Sequence, residues 1–171
     1  MRYFAYGSNL LLARLRERSP SARRIARAGL PAHRLRWHKR GSLDGSGKCD
    51  AWLTGDAKDT VWGALFEIAD TERARLDSAE GLGLGYRAML VRVETTDGVR
   101  TAFAYVATPD AVDDTLAPFD WYRDLVVAGA RESTLPDRYI STLAAVTALV
   151  DPDADRAHRH RRLIGPPDDA E

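Results

Sequence analysis

Hydrophobic positions along the chain follow two regimes. Up to about Ala107 they come in short runs or alternate with polar residues, and from Pro118 they recur at helical spacing. In the first regime Tyr3 to Tyr6 reads as a short buried strand that stops at Gly7, Ser8 and Asn9. Asn9 is placed to cap a helix beginning near Leu10, with Leu10, Leu11 and Leu15 inward and the arginines outward. After Pro20 and the punctuation Gly29-Leu30-Pro31, "RLRWH" alternates as a half-exposed strand. The following "GSLDGSGK" has the composition of a mobile hairpin or surface excursion rather than a site. "AWLTG" and "TVWGALFEI" read as strands joined by a polar turn at Asp56 to Asp59, the second apolar enough for the centre of a sheet. Asp70 or Thr71 caps a short helix, "DTERARLDSAE". In "RAMLVRVETTDGVRTAFAYVA" two β-rich runs flank an Asp-Gly turn, which predicts a hairpin. The second regime gives a helix over "PFDWYRDLVVAGAR", ending near Gly129, and another over "PDRYISTLAAVTALV" with Pro136 in its first turn.

Strands followed by two helices, with no internal repeat, predict an α+β protein with a mixed or largely antiparallel sheet. A length of 171 residues, 44% of them hydrophobic, suits one domain over residues 1–150. The Pro-, Asp- and Arg-rich tail at 151–171 is expected to lie on the surface or be disordered. Apolar runs are too short for a bilayer span, so no membrane partner is expected. The single cysteine, Cys49, excludes an intrachain disulfide, and the N-terminal stretch lacks the charged-then-apolar pattern and cleavage site of a signal peptide, so a cytoplasmic location is expected. Net charge is +0, yet the segment up to Arg40 holds many arginines against one acid, Glu17. That predicts a solvated or anion-attracting face; nucleic-acid binding would also need aromatics interleaved with the basic residues or a known docking motif, and from Arg14 to Arg40 the chain offers neither apart from Trp37. Oligomeric state is not legible: monomer and homodimer both fit. Trp121 and Tyr122 suit a dimer face, although helix aromatics more often sit in a core.

Several chemical patterns fail on inspection. Gly81, Gly83 and Gly85 lack the third glycine and the strand-to-helix context of a dinucleotide fingerprint. His33, His38 and Cys49 match no zinc spacing, and the histidines read as surface residues near arginines; His158 and His160 sit in the basic tail. Ser46 lacks the setting of a nucleophile elbow. Glu80 stands out. It closes a helix whose dipole disfavours a negative charge, and the glycines after it allow close approach of backbone or ligand, so it is a candidate proton carrier as well as a plain helix-end glutamate. At the opening motif, backbone N–H groups that end a strand and start a helix suit a carboxylate or an oxyanion, or form an ordinary cap.

Taken in order, "YFAYGSNL", "VWGALFEI", "LDSAEGLGLGYR", "AFAYVA" and "AGARESTLPDRYISTL" resemble the γ-glutamylcyclotransferase family from Arg2 to about Val150. The resemblance implies a small mixed β-barrel or strongly curled sheet with flanking helices. It implies Glu80 as the catalytic glutamate. Tyr3, Phe4, Ala5, Tyr6, Gly7, Ser8 and Asn9 are implied as the substrate-binding loop, with Tyr86 and Tyr139 contributing to the pocket. The implied reaction cyclises a small γ-glutamyl amino acid or amine to 5-oxoproline, with no metal or organic cofactor. Two other readings are a relative that removes a γ-glutamyl protecting group from a carrier-bound intermediate, and a module that binds a small acidic metabolite without turnover.

Overall fold

The computed structural model describes residues 1–165. Its strands are β1 (Arg2–Ala5), β2 (Arg23–Pro31), β3 (His33–Arg40), β4 (Gly47–Leu53), β5 (Thr60–Glu67), β6 (Tyr86–Thr95) and β7 (Gly98–Ala107). Its helices are α1 (Leu12–Arg18), α2 (Arg73–Glu80), α3 (Asp120–Glu132), α4 (Asp137–Ala144) and α5 (Ala154–Arg161), with a 3₁₀ turn at Ser8–Leu10 between β1 and α1.

Five strands close a barrel in the order β1-β5-β2-β6-β7. Four junctions are antiparallel; the fifth is the parallel contact of Tyr3 with Phe103, which makes the barrel mixed. The α+β expectation and the small mixed barrel both describe this architecture. β6 and β7 form the predicted hairpin, turning at Gly98 with φ of 103°. β3 and β4 pair apart from the barrel. Phe4, Val61, Leu65, Phe66 and Val93 are almost wholly removed from water, and Leu125 and Val126 of α3 belong to the same core. Gly129 brings α3 directly against the 3₁₀ turn: a Cβ there would lie 2.3 Å from the Leu11 nitrogen.

Several local expectations are corrected. Residues 23–31 form a strand that alternation does not reveal, because a register shift between Arg24 and Ala26 interrupts the period of two. Its Gly29-Leu30-Pro31 is strand, not punctuation, and the turn falls at Ala32, with φ of 58°. Asn9 does not cap α1. The 3₁₀ turn, with Leu10 N–H bonded to the Gly7 carbonyl at 2.9 Å, separates it from the helix and frees its amide for buried partners. Arg14 and Arg18 do not face outward: spaced four apart, they share the α1 face turned to the cleft described below. α3 runs past Gly129 to Glu132, and α4 ends at Ala144 because Leu149 pairs with Phe119 and Pro118 instead, its N–H 2.9 Å from the Pro118 carbonyl. The tail is not loose over its described part. Asp153 caps α5, accepting from the Arg156 N–H at 2.8 Å, and buried Asp151 accepts from Trp121 Nε1 at 2.6 Å and Arg156 Nε at 2.7 Å. The expectation for 166–171 lies outside the described residues.

Candidate active site

β1 delivers Tyr3 and Tyr6 to one end of the barrel, and the 3₁₀ turn holds Ser8 and Asn9 beside them. α2 ends there at Glu80. Gly81, with φ of 67°, adopts the left-handed C-cap that glycine tolerates, which stops the helix with the carboxylate in place. Around these residues lies a cavity of about 30 Å³ lined by Tyr3, Tyr6, Gly7, Asn9, Tyr86 and Tyr122, with Cys49, Tyr105 and Ser8 completing its wall. Among the described residues that line it, Glu80 is the only one with a carboxylate.

The carboxylate is held by one oxygen. Asn9 Nδ2 donates to Glu80 Oε1 at 2.9 Å and to the Tyr3 hydroxyl at 3.0 Å; Arg18 Nη1 donates to the same Oε1 and to Asn9 Oδ1, the latter at 2.7 Å. Among the described residues nothing donates to Oε2. The tyrosines are neutral donors. Burial pushes the phenols of Tyr3, Tyr6, Tyr86 and Tyr122 well above their ordinary range, and nearby negative charge adds to this, from Glu80 for Tyr3 and Tyr86. Their hydroxyls are placed by fixed bonds: Tyr6 donates to the Tyr105 carbonyl, Tyr86 to the Cys49 carbonyl at 2.6 Å, and Tyr122 accepts from the Cys49 N–H at 3.1 Å. Burial likewise pushes the Cys49 thiol up. The N–H groups of Gly7, Ser8 and Asn9 have no acceptor among the described residues, as the first turn of a 3₁₀ segment dictates.

Beyond Glu80 the cavity meets a wider cleft of about 280 Å³, to which Ser8, Glu80, Tyr86 and Tyr122 are common. One rim is the β3–β4 loop. Gly41, Ser42, Leu43 and Asp44 line it, fixed by the Lys48–Asp44 bond of 2.7 Å, so this loop borders the site that its composition argued against. Another wall comes from the C-terminal segment: His160 stacks on Trp121 at 4.0 Å and meets Arg14 Nη1 at 3.1 Å through Nδ1. Burial and the Arg14 charge lower the His160 pKa to about 4, and burial lowers that of Arg14 to about 10.

The structure thus brings together Tyr3, Tyr6, Gly7, Ser8, Asn9, Tyr86 and Glu80. Phe4 and Ala5 line neither space; their side chains belong to the barrel core. Tyr139 is also elsewhere. After Thr134, with φ of 51°, the chain turns α4 so that Tyr139 lines a separate groove with Trp37 and Trp62. Arg14, Arg18, Lys39, Tyr105, Tyr122 and His160 were not legible as site residues, and the excess of arginine near the N-terminus was the sole signal for two of them. His38 is buried rather than superficial, between Asp50 at 3.1 Å and Asp114 at 2.8 Å.

A mixed five-stranded barrel with a carboxylate held at the mouth of a tyrosine-lined cavity defines a small α+β protein with one candidate active site. Comparison with known proteins narrows the class. The AIG2-like family profile matches residues 60–143. Proteins named γ-glutamylcyclotransferase from Mus musculus and Homo sapiens are each 32% identical over 152 residues, spanning 84% of this chain and 77% of theirs. A solved structure named γ-glutamyl cyclotransferase is similar with a TM-score of 0.79 at 27% identity, covering 92% of this chain and 98% of that one. The chain belongs to the γ-glutamylcyclotransferase family of enzymes. Among its described residues no helix is long and apolar enough to cross a membrane.

Proposed function

We propose that the protein converts a small γ-glutamyl amino acid or amine to 5-oxoproline with release of the amino acid or amine. The observation that carries this reading is Glu80, the single carboxylate of the cavity, held by Oε1 with Oε2 open. The substrate's α-amine attacks its own γ-carbonyl. A carbon–nitrogen bond forms in a five-membered ring, and the bond to the departing nitrogen breaks. Both partners belong to one molecule, so the protein's tasks are to fix the folded-back conformer and to move protons.

Oε2 of Glu80 accepts the proton that the α-ammonium must lose before it attacks, then returns one to the departing nitrogen. Each such transfer typically contributes about a hundred- to ten-thousand-fold. Asn9 and Arg18 aim the carboxylate without occupying Oε2. The unpaired N–H groups of Gly7 to Asn9 suit the substrate α-carboxylate or the oxyanion formed at the carbonyl. The neutral tyrosines form walls, Tyr6 and Tyr86 with their hydroxyl protons already given to backbone carbonyls, and the raised Cys49 thiol makes it a poor nucleophile at neutral pH.

Purified protein incubated with a panel of γ-glutamyl amino acids and amines, with 5-oxoproline as the product assayed, tests the reading. Wild type is expected to release it. Glu80→Gln, whose amide oxygen still accepts from Arg18 and Asn9, is expected to lose about a hundredfold or more. Equal release by both proteins removes Glu80 from the mechanism.

A further inference from the structure

Arg18 and Asn9 both grip Glu80 through Oε1, and a carboxylate held by one oxygen can pivot about it. The direction of Oε2 therefore depends as well on where the last turn of α2 stands. That helix has little of the usual support. It is eight residues long, has no side-chain cap at its N-terminus, and only its Leu76 is buried. A helix so short is marginal on its own and draws its stability from tertiary contact.

The polar contacts of α2 with the barrel converge on Asp77. Arg73, Asp77 and Glu80 follow one another at helical spacing and share one face. Tyr105 of β7 donates its hydroxyl to Asp77 Oδ1 at 2.5 Å. Arg73 Nε donates to the same oxygen at 2.8 Å, and its guanidinium lies 3.9 Å from the centre of the Phe103 ring, also on β7. The Asp77 backbone is engaged too: its carbonyl accepts from the Leu82 N–H at 2.9 Å, closing the turn in which Gly81 is left-handed. Tyr105 is 3% exposed. Its burial, and next its bond to Asp77, raise the phenol far above the ordinary range, so it stays a donor. The same residue meets the inner cavity twice more, with its ring edge-on to Tyr3 at 5.8 Å and its carbonyl accepting from the Tyr6 hydroxyl. Its own hydroxyl proton, given to Asp77, is not offered to a substrate.

We propose that Tyr105 is a positioning residue: its bond to Asp77 pins the last turn of α2 to β7 and so fixes the direction in which Glu80 presents Oε2. The inference rests on the reaction proposed above, in which Oε2 carries the proton, and names what aims that oxygen. Tyr105 acts through Asp77 and does not touch the reacting atoms.

Tyr105→Phe removes one hydroxyl and keeps both the ring against Tyr3 and the carbonyl that receives Tyr6. In steady-state release of 5-oxoproline it is expected to lower kcat about ten- to a hundredfold, as for a misplacement of up to about 1 Å, with KM within about twofold of wild type. Asp77→Ala is expected to match it, and the double variant to be no worse than either single one. Asp77→Asn, whose amide oxygen still accepts from Tyr105, is expected to keep most of the rate. Amide hydrogen exchange gives a second readout that requires no turnover: in Tyr105→Phe the Gly81 and Leu82 amides are expected to exchange about tenfold faster or more, while those of β1 and β5 keep their protection. An unchanged kcat, a loss expressed in KM, additive losses in the double variant, or exchange that rises equally throughout the protein overturns the assignment. Absence of 5-oxoproline release by wild type would refute the reaction alone. Exchange then judges the pin: acceleration confined to Gly81 and Leu82 upholds it, and unchanged exchange there overturns it.

Discussion

Gly129 is the point where α3 touches the loop that carries the site, and its replacement by alanine has a sign that can be worked from the structure. The new Cβ would lie 2.3 Å from the Leu11 nitrogen, 2.5 Å from the Leu10 carbonyl carbon and 2.6 Å from Leu10 Cβ. Real Cβ atoms essentially never come closer than 3.0 Å, so helix and turn must part by about 0.7 Å or more. Two of the three obstacles are backbone and the third is the fully buried Leu10, so no flexible side-chain end can swing away. Overpacking of this kind costs about 1–3 kcal/mol. Helix propensity favours alanine over glycine by up to about 1 kcal/mol. The net expectation is destabilisation of about 1–2 kcal/mol, which in a chain of this size lowers the melting temperature by about 2–8 °C. Activity should fall further than stability alone implies, because the displaced turn carries Gly7, Ser8 and Asn9, and misplacement by about 1 Å can cost of order a hundredfold in rate. Urea and thermal unfolding followed by circular dichroism, with 5-oxoproline release on the same samples, measure both. A Gly129→Ala protein as stable as wild type or more so, with full activity, would refute the close approach.

Two further outcomes follow from titratable groups outside the reaction. Arg156 holds the Asp151 carboxyl at about 2, below its ordinary 3.8, so the unfolded chain takes up this proton first as pH falls. The stability the pair contributes is therefore complete above about pH 4 and lost as pH falls toward about 2. Asp151→Asn should lower the melting temperature near neutrality and converge with wild type near pH 2; parallel curves across that window would count against the pair. Cys49, buried with its thiol pushed up, should resist iodoacetamide in the native protein under conditions that label it fully in denaturant, and rapid native labelling would contradict its placement.

Elements that announce themselves by local chemistry were legible in the sequence. The β6–β7 hairpin has its Asp-Gly turn, β1 has its apolar run, and α2 ends at a glycine that can adopt positive φ. Glu80 was legible for the last reason, since a carboxylate before a left-handed C-cap is visible as a pattern. What escaped depends on long-range contact. β2 hides behind a register shift, and Arg14 and Arg18 of α1 face inward only because Ser8, His160 and Glu80, up to 146 residues away, await them. By periodicity Lys39 should share in a half-exposed strand, and only the shift in β3 buries it. Tyr139, which the resemblance implies for the pocket, lines a separate groove with Trp37 and Trp62. The C-terminal helix was unreadable because its anchor is one carboxylate, Asp151, answering an indole thirty residues earlier.

The two parts of the site are built by different parts of the chain. The inner cavity draws mainly on barrel strands, the turn after β1 and the end of α2, whereas the cleft beyond it is bordered by the β3–β4 loop and by the segment carrying Arg156 and His160. Such a layout uncouples chemistry from clientele. The borders are a hairpin tip and a short terminal helix, the kinds of segment that tolerate insertion and exchange far better than barrel strands. For protein engineering, a change of substrate is best sought by diversifying residues 41–44 and 156–160 while the barrel is left untouched. In evolutionary terms, descendants of one barrel can change at the rim without rebuilding the core beneath it.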